Sequence, residues 1–281
     1  MNALDYAKTA NEVFVLEDSF FRIKSLLESD DSTMDEIGEV IILDPALTAT
    51  ILKLANSPIY KTSGKVDTIT KAIMILGTKE VYSLVLTFFS SKAFNRPEVD
   101  HEYLDDFWFT SVDTALTIKY LGQSFGLKNA ERLFIIGLLH NLGELTIQQH
   151  DSKLVHQCAC DDISILPWEK QRLTVGFSFG ECGARLLELW GFPLSISHPI
   201  ALQDDLTHED ATLESKLLYI AKRAVFKNHQ FEDEPYSKVI NFQEIKDFSL
   251  NDDVLDEAKD ICNVERLELL SILNPSSALL F

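Results

Sequence analysis

Between residues 33 and 77 the chain spells out one local grammar three times: a capping residue, an apolar stripe at helical spacing, then a stop. In "STMDEIGEVIILDPALTATILKLANSPIY" Thr33 and Glu36 have the spacing of a capping box, in which each side chain accepts the other residue's backbone N–H, ahead of Ile37, Val40 and Ile41. Asp44 then caps a second helix with Pro45 in its first turn, where the missing N–H would be unpaired anyway, and Leu47, Ile51, Leu54 and Ala55 form its stripe. This helix should stop near Asn56, because Ser57 precedes Pro58 and is pushed out of the α region. A third helix is predicted from Thr68 to a left-handed cap at Gly77, after which Thr78 should cap "KEVYSLVLTFFSSKAF", with Val81, Leu84, Val85, Phe88 and Phe89 as its buried face.

The same signals continue to the end. "NRPEVD" at 95–100 breaks the pattern and marks an internal boundary. "YLDDFWFTSVDTALTIKYLGQSFG" reads as a long helix broken by Gly126, and Asn129 should cap one continuous helix carrying "LFIIGLLHNLGEL" at 133–145. Further helices are predicted near 151–160, from Pro167, over 178–191, over 210–229 and over 251–273; only "YSKVINF" at 236–242 alternates as a strand would. With 11 Gly, 8 Pro and no regularly spaced alternating runs, all-β and propeller architectures are disfavoured, and 46% hydrophobic residues suffice for a packed core. The fold class is therefore all-α. It divides into a helical subdomain at 10–97, a second at 98–230 and a partly helical extension at 231–281.

A net charge of −19 opposes any surface that must neutralise phosphates or an anionic membrane, so neither nucleic acid nor membrane is an expected partner. "MNALDYAKTANEVF" lacks the basic flank and apolar core of a secretory signal, and no apolar run approaches the ~20 residues of a membrane span, so a cytoplasmic location is expected. Cys158, Cys160, Cys182 and Cys262 form no CxxC pair and read as reduced thiols.

The chemistry turns on "LFIIGLLHNLGEL", where His140 and Asn141 interrupt an apolar run. Two readings are open. An imidazole beside a carboxylate can take a divalent ion if neighbouring helices add further donors, but here the neighbour is an uncharged amide. Alternatively both are core polar groups satisfied by hydrogen bonds, since each would cost about 1–3 kcal/mol unpaired. Ser111 near Asp113, or Cys182 near His198, has the types of a nucleophile and base without an elbow or a third orienting group. Gly176, Gly180 and Gly183 make no phosphate-binding loop and read as sites of close packing, while Trp108 and Trp190 read as core anchors.

The segments "LDPALTATILKLANSPIY", "TITKAIMILGTKEVYSLVL", "FWFTS", "FIIGLLHNLGEL" and "TVGFSFGECGARLLELWGFP", in this order over residues 12–205, resemble the HDOD family, the HD-related output domains of bacterial signal transduction. The resemblance implies a multi-helical fold related to the HD phosphohydrolases, usually without their activity. It also exposes departures. Thr110 stands where many relatives have the histidine of Phe-Trp-x-His-Ser, Asn141 replaces the aspartate of the His-Asp doublet, and Glu144 stands where a lysine commonly follows. Phe179 occupies the place of the histidine of an Asp-His pair, and a frequent His-His would fall near Gln203 and Asp204, with His198 a turn earlier.

Thr110, His140, Asn141, Glu144 and Phe179 are thus expected to form a vestigial HD site with no catalytic residue, no metal and no cofactor. The expected work is non-enzymatic: a regulatory module of signal transduction acting on a signalling protein partner, in an oligomeric state the sequence does not specify. The alternatives are a metal-dependent phosphohydrolase, or a small-ligand or nucleotide sensor, using the surroundings of His140. A contact surface is expected where the subdomains meet, from the helix at 44–56 and the loop "NSPIYKTSGKVDT", whose Tyr60, Lys61 and Lys65 stand out in an acidic chain.

Overall fold

A computed structural model describes residues 1–13, 18–29, 31–56, 65–94, 101–127, 130–160, 163–245, 248 and 250–273. They form helices and turns with no strand among the described residues, so the chain is all-α as expected. Contacts divide it into two compact units: Phe14–Asp105 with Leu267–Phe281, and Met1–Val13 with Asp106–Arg266.

The first unit holds α2 (Asp18–Glu28), α3 (Met34–Ile41), α4 (Pro45–Ala55), α5 (Ile69–Leu76) and α6 (Thr78–Phe94). Its local signals act as read. Glu36 N donates to Thr33 Oγ1 and Thr33 N to Glu36 Oε2, closing the capping box, and Leu47 N donates to Asp44 Oδ1. Asn56 ends α4 and turns its amide to Val66, giving Nδ2 to the carbonyl at 2.7 Å and accepting the N–H at 2.8 Å. One side chain thus supplies both bonds that a paired strand would. Ile23, Ile41, Leu47, Ile51, Ile73 and Val81 are fully enclosed, and Phe20 meets Phe89 edge to face. Phe88 is only half-buried.

Gly77 departs from the expected left-handed cap. Its φ is +83° but its ψ is 152°, so the chain swings into extended geometry. Gly77 N donates to Ile73 O, closing α5, and Gly77 O accepts from Val81 N, opening α6. Both helices share this single linker, which places Thr78 inside α6 rather than ahead of it.

The second unit holds α1 (Ala3–Val13), α7 (His101–Ser124) from Asp106, α8 (Ala130–Leu139), α9 (Leu142–His150), α10 (Ser152–Cys158), α11 (Pro167–Val175), α12 (Phe179–Leu189), α13 (Leu194–Ala201), α14 (Leu213–Gln230) and α15 (Asp252–Leu273) to Arg266. α12 lies at its centre, packed against α1, α9 and α13. Ser178 and Glu181 form its capping box, and Gly176 just before it adopts the left-handed conformation that ends α11. The expected continuous helix over 133–145 is instead two, because the chain turns at His140 and Asn141. The expected strand at 236–242 is a single 3-10 turn, Tyr236–Lys238, with Val239 and Ile240 buried beyond it. The turn buries Tyr236, Val239 and Ile240 at spacings of three and one, not the strict alternation a strand would give. The expected cap at Asn129 lies outside the described residues.

Two helix crossings leave no space for side chains. A Cβ on Gly143 of α9 would come within 1.7 Å of Phe179 O and 2.6 Å of Gly183 N, and one on Gly137 of α8 within 2.6 Å of Ala115 Cα. The atoms met are backbone, which cannot swing aside. Gly38, within α3, is different: its nearest neighbour would be Thr70 Oγ1 at 3.5 Å, ordinary contact. Gly143→Ala should therefore destabilise the protein by about 2–3 kcal/mol, whereas Gly38→Ala should raise stability by about 0.5–1 kcal/mol through helix propensity. Urea unfolding of the two variants checks the opposite signs.

Candidate functional site at the His140 turn

His140 follows the last residue of α8, and Asn141 precedes the first of α9. The Gly143–Gly183 crossing presses the start of α9 onto α12, so α8 cannot continue straight. His140 is 3% exposed. Its Nδ1 lies 2.6 Å from the Gly137 carbonyl, which needs a donor, so the proton sits on Nδ1 and Nε2 carries the lone pair. The His140 carbonyl, freed by the turn, accepts from Gln203 Nε2 at 2.9 Å. Gly180 makes that bond possible, because a Cβ there would stand 2.1 Å from the same Nε2.

Asn141 is fixed by α7. Ser111 Oγ reaches both Phe107 O at 2.7 Å and Asn141 Oδ1 at 2.9 Å, while Asn141 Nδ2 approaches Phe107 O at 3.5 Å. The three groups form a closed loop. Thr110, half-buried on α7, takes no part in it, and Glu144 lies half-buried in the first turn of α9. Phe179 is turned into a different cluster with Tyr6, Ile147, Leu154, Cys158, Phe177 and Cys182. Of the five expected site positions, the hydrogen-bonded turn thus engages His140 and Asn141.

A group that sequence reasoning placed only loosely, or not at all, adjoins the turn. Asp204, its side chain 1% exposed, sits 2.7 and 2.9 Å from Lys222 Nζ and 3.3 Å from Arg223 Nη1. Lys222 Nζ and Arg223 Cζ lie 4.8 and 4.2 Å from the centre of the Trp168 ring, and Arg223 also covers Tyr219. Burial opposes the Asp204 charge, but the Lys222 and Arg223 cations outweigh it and hold the carboxyl below its usual range. A Lys-Arg doublet on an amphipathic helix ordinarily reads as a solvated edge, so nothing in the local pattern marked it.

The other candidates resolve into structure. Asp113 is held by Arg266 and by His229 Nε2 at 2.8 Å, away from any use as a base for Ser111. Burial pushes the Cys182 thiol up to about 12, which leaves it protonated and inert. No disulfide joins the four cysteines. Trp108 and Trp190 are buried as expected. Lys65 is exposed, while Tyr60 and Lys61 lie outside the described residues. No helix among the described residues is long and apolar enough to cross a membrane.

The HDOD domain family matches residues 14–206, more than half of the chain, and the protein belongs to the HDOD family. Among solved structures it is similar to a "Putative phosphohydrolase" of Shewanella amazonensis SB2B, at 23% identity over 96% of this chain and 98% of that one, with a TM-score of 0.74. A "Putative metal-dependent phosphohydrolase" of the same organism matches at 19% identity over 98% and 97%, TM-score 0.68. A "Putative signal transduction protein" of Marinobacter aquaeolei VT8 matches at 18% identity over 98% of this chain and 65% of that one, TM-score 0.71. At these identities the likeness establishes the fold. Curated proteins give no match.

A metal does not fit the donors present. No group of three or more His, Cys, Asp and Glu side chains among the described residues is placed to hold one. Burial, helped by the Lys222 charge, pushes His140 down to about 3, so the folded protein keeps it neutral. The unfolded chain takes up that proton near pH 6.5 and the native state does not until about 3, so stability contributed by neutral His140 is lost as pH falls through this window. Between about pH 6 and 4.5, wild type should lose roughly 1 kcal/mol more per pH unit than His140→Gln, measured by urea unfolding at each pH. Parallel pH profiles would show that His140 is not the neutral buried base described.

Proposed function

We propose that this HDOD protein is a non-enzymatic, cytoplasmic regulatory module that relays a signal through contact with a signalling protein partner. The observation that carries the reading is the engagement of the polar turn: Asn141 is bound into the Ser111–Phe107 loop, and the His140 carbonyl and Nδ1 are both paired. Hydrogen bonds that complete a core leave a rigid helical body, which is what a contact module needs. The metal-dependent phosphohydrolase reading draws on the names of two structural neighbours and on the buried, neutral imidazole of His140. The small-ligand or nucleotide sensor is the third, with no observation in its favour.

Asn141→Asp separates the first two. The substitution restores a carboxylate beside His140 but removes the Nδ2 donor and leaves one serine proton between two acceptors, Phe107 O and the new carboxylate. The variant is expected to gain neither metal affinity nor hydrolysis of phosphodiesters, and to lose about 1–3 kcal/mol at neutral pH. Tight binding of a divalent ion with phosphate release would favour the hydrolase instead.

The contact surface is proposed around the loop that contains Tyr60, Lys61 and exposed Lys65. Tyr60→Ala with Lys61→Glu should abolish capture of a native partner while shifting stability by less than about 0.5 kcal/mol. Undiminished capture by the folded double variant would exclude this surface.

A further inference from the structure

α1 carries small or aromatic side chains at Ala3, Tyr6, Ala7 and Ala10, the i, i+3, i+4, i+7 spacing by which an amphipathic helix lies in a groove. Ala7 is fully enclosed and Tyr6 and Ala10 nearly so, while Leu4, Lys8, Asn11 and Glu12 face outward. The groove beneath belongs to α9, α10 and α12: Ile147, Leu154, Cys158, Phe179 and Cys182, with Phe177 from the turn ahead of α12. Tyr6 is the anchor. Its ring meets that of His150 edge-on at 5.0 Å and that of Phe177 at 6.0 Å, and the alanines let α1 lie close along α12.

Among the described residues no hydrogen bond or ion pair ties α1 to this groove; the bonds of Asn2, Asp5 and Thr9 stay within the segment. The groove has its own support: α12 is capped by Ser178 and Glu181, crosses α9 at Gly143 and Gly183, and packs on α13. The HDOD match begins at residue 14, directly after α1, so this helix lies outside the matched domain and yet covers the helix at the centre of its unit. A helix held by apolar contact alone leaves as a unit without breaking a polar bond.

We propose that the groove on α9, α10 and α12 is a helix-docking site with α1 as its in-chain occupant, and that a helix of the signalling partner competes with α1 for it. The partner helix presents the same pattern, an aromatic side chain flanked by small residues at the spacing of Ala3, Tyr6, Ala7 and Ala10. The inference rests on the contact-module reading above for its partner and adds the groove where that partner's helix seats. α1 then sets the threshold, because the apparent affinity of an outside helix falls by the fraction of chains whose groove is open.

The probe is a fluorescent peptide of residues 1–13, titrated to about 1 mM against the full chain and followed by anisotropy. In Ala7→Asp a carboxylate replaces a fully enclosed methyl of α1 while every groove residue is kept, so α1 is expelled. This variant is expected to bind the peptide at least about tenfold more tightly than wild type does, and to bind a peptide carrying Tyr6→Ala at least about tenfold more weakly than the native one. Equal binding to both chains, or none to a folded Ala7→Asp, overturns the proposal. Should Ala7→Asp not fold, hydrogen exchange of wild type decides: α1 amides are expected to exchange about tenfold or more faster than those of α12, and equal protection overturns the proposal. Wild type that dimerises on concentration while Ala7→Asp stays monomeric would put a second copy's α1 in the groove and overturn it as well. Each of these failures leaves the contact-module reading standing, with its separate test at Tyr60 and Lys61.

Discussion

The backbone-to-backbone approach of Gly143 on α9 and Gly183 on α12 sets the rest of the site. With no Cβ between them the two helices meet at a distance that any other residue would prevent. α9 is consequently fixed on α12, and the chain arriving from α8 must break at His140 and Asn141 to reach it. The break exposes helix-end carbonyls inside a core, where each unpaired polar group is costly. Gln203 pairs the His140 carbonyl, Ser111 and the Phe107 carbonyl hold the Asn141 side chain, and Gly180 supplies the room for Gln203.

Electrostatics then separate this centre from one built around an ion. A metal-holding cluster leaves carboxylates facing an unfilled point of positive charge. Here Asp204 is satisfied by two cations from its own chain, themselves stacked on Trp168 and Tyr219. Aromatic faces compensate part of the hydration that the cations give up, and the low local dielectric strengthens each contact. His140 stays neutral in this field. A second enclosed carboxylate, Asp113, is treated in the same manner by Arg266 and His229. In a chain of net charge −19, Lys222, Arg223 and Arg266 are committed to two buried carboxylates, Asp204 and Asp113.

Much of this was legible in the sequence because it is local. The capping box at Thr33, the Asp44 cap, the stop at Asn56 and the stripes of α4 and α6 depend on residues within one or two turns of each other. The all-α class follows from their accumulation, and the ordered motifs resembling HDOD pointed to the family that residues 14–206 match. The misreadings are just as physical. Alternation at 236–242 comes from a 3-10 turn, the apolar run through 133–145 hides a break, and Gly77 serves two helices at once.

The sequence by itself determined the helix ends that carry a cap or a stop, such as Thr33, Asp44 and Asn56, and which polar residues stand inside an apolar run, since those depend on backbone hydrogen bonds and periodic burial over short spans. It could not say what His140 and Asn141 touch. Their partners Gln203 and Ser111 lie 63 and 30 residues away from them along the chain, and the Asp204–Lys222 pair spans 18. Nor could it say that Phe179 turns into a cluster with Tyr6. Only the tertiary structure decided these, because a buried charge or carbonyl accepts whatever donor the packed helices bring within 3 Å, and helix crossings set by absent side chains leave no periodic mark.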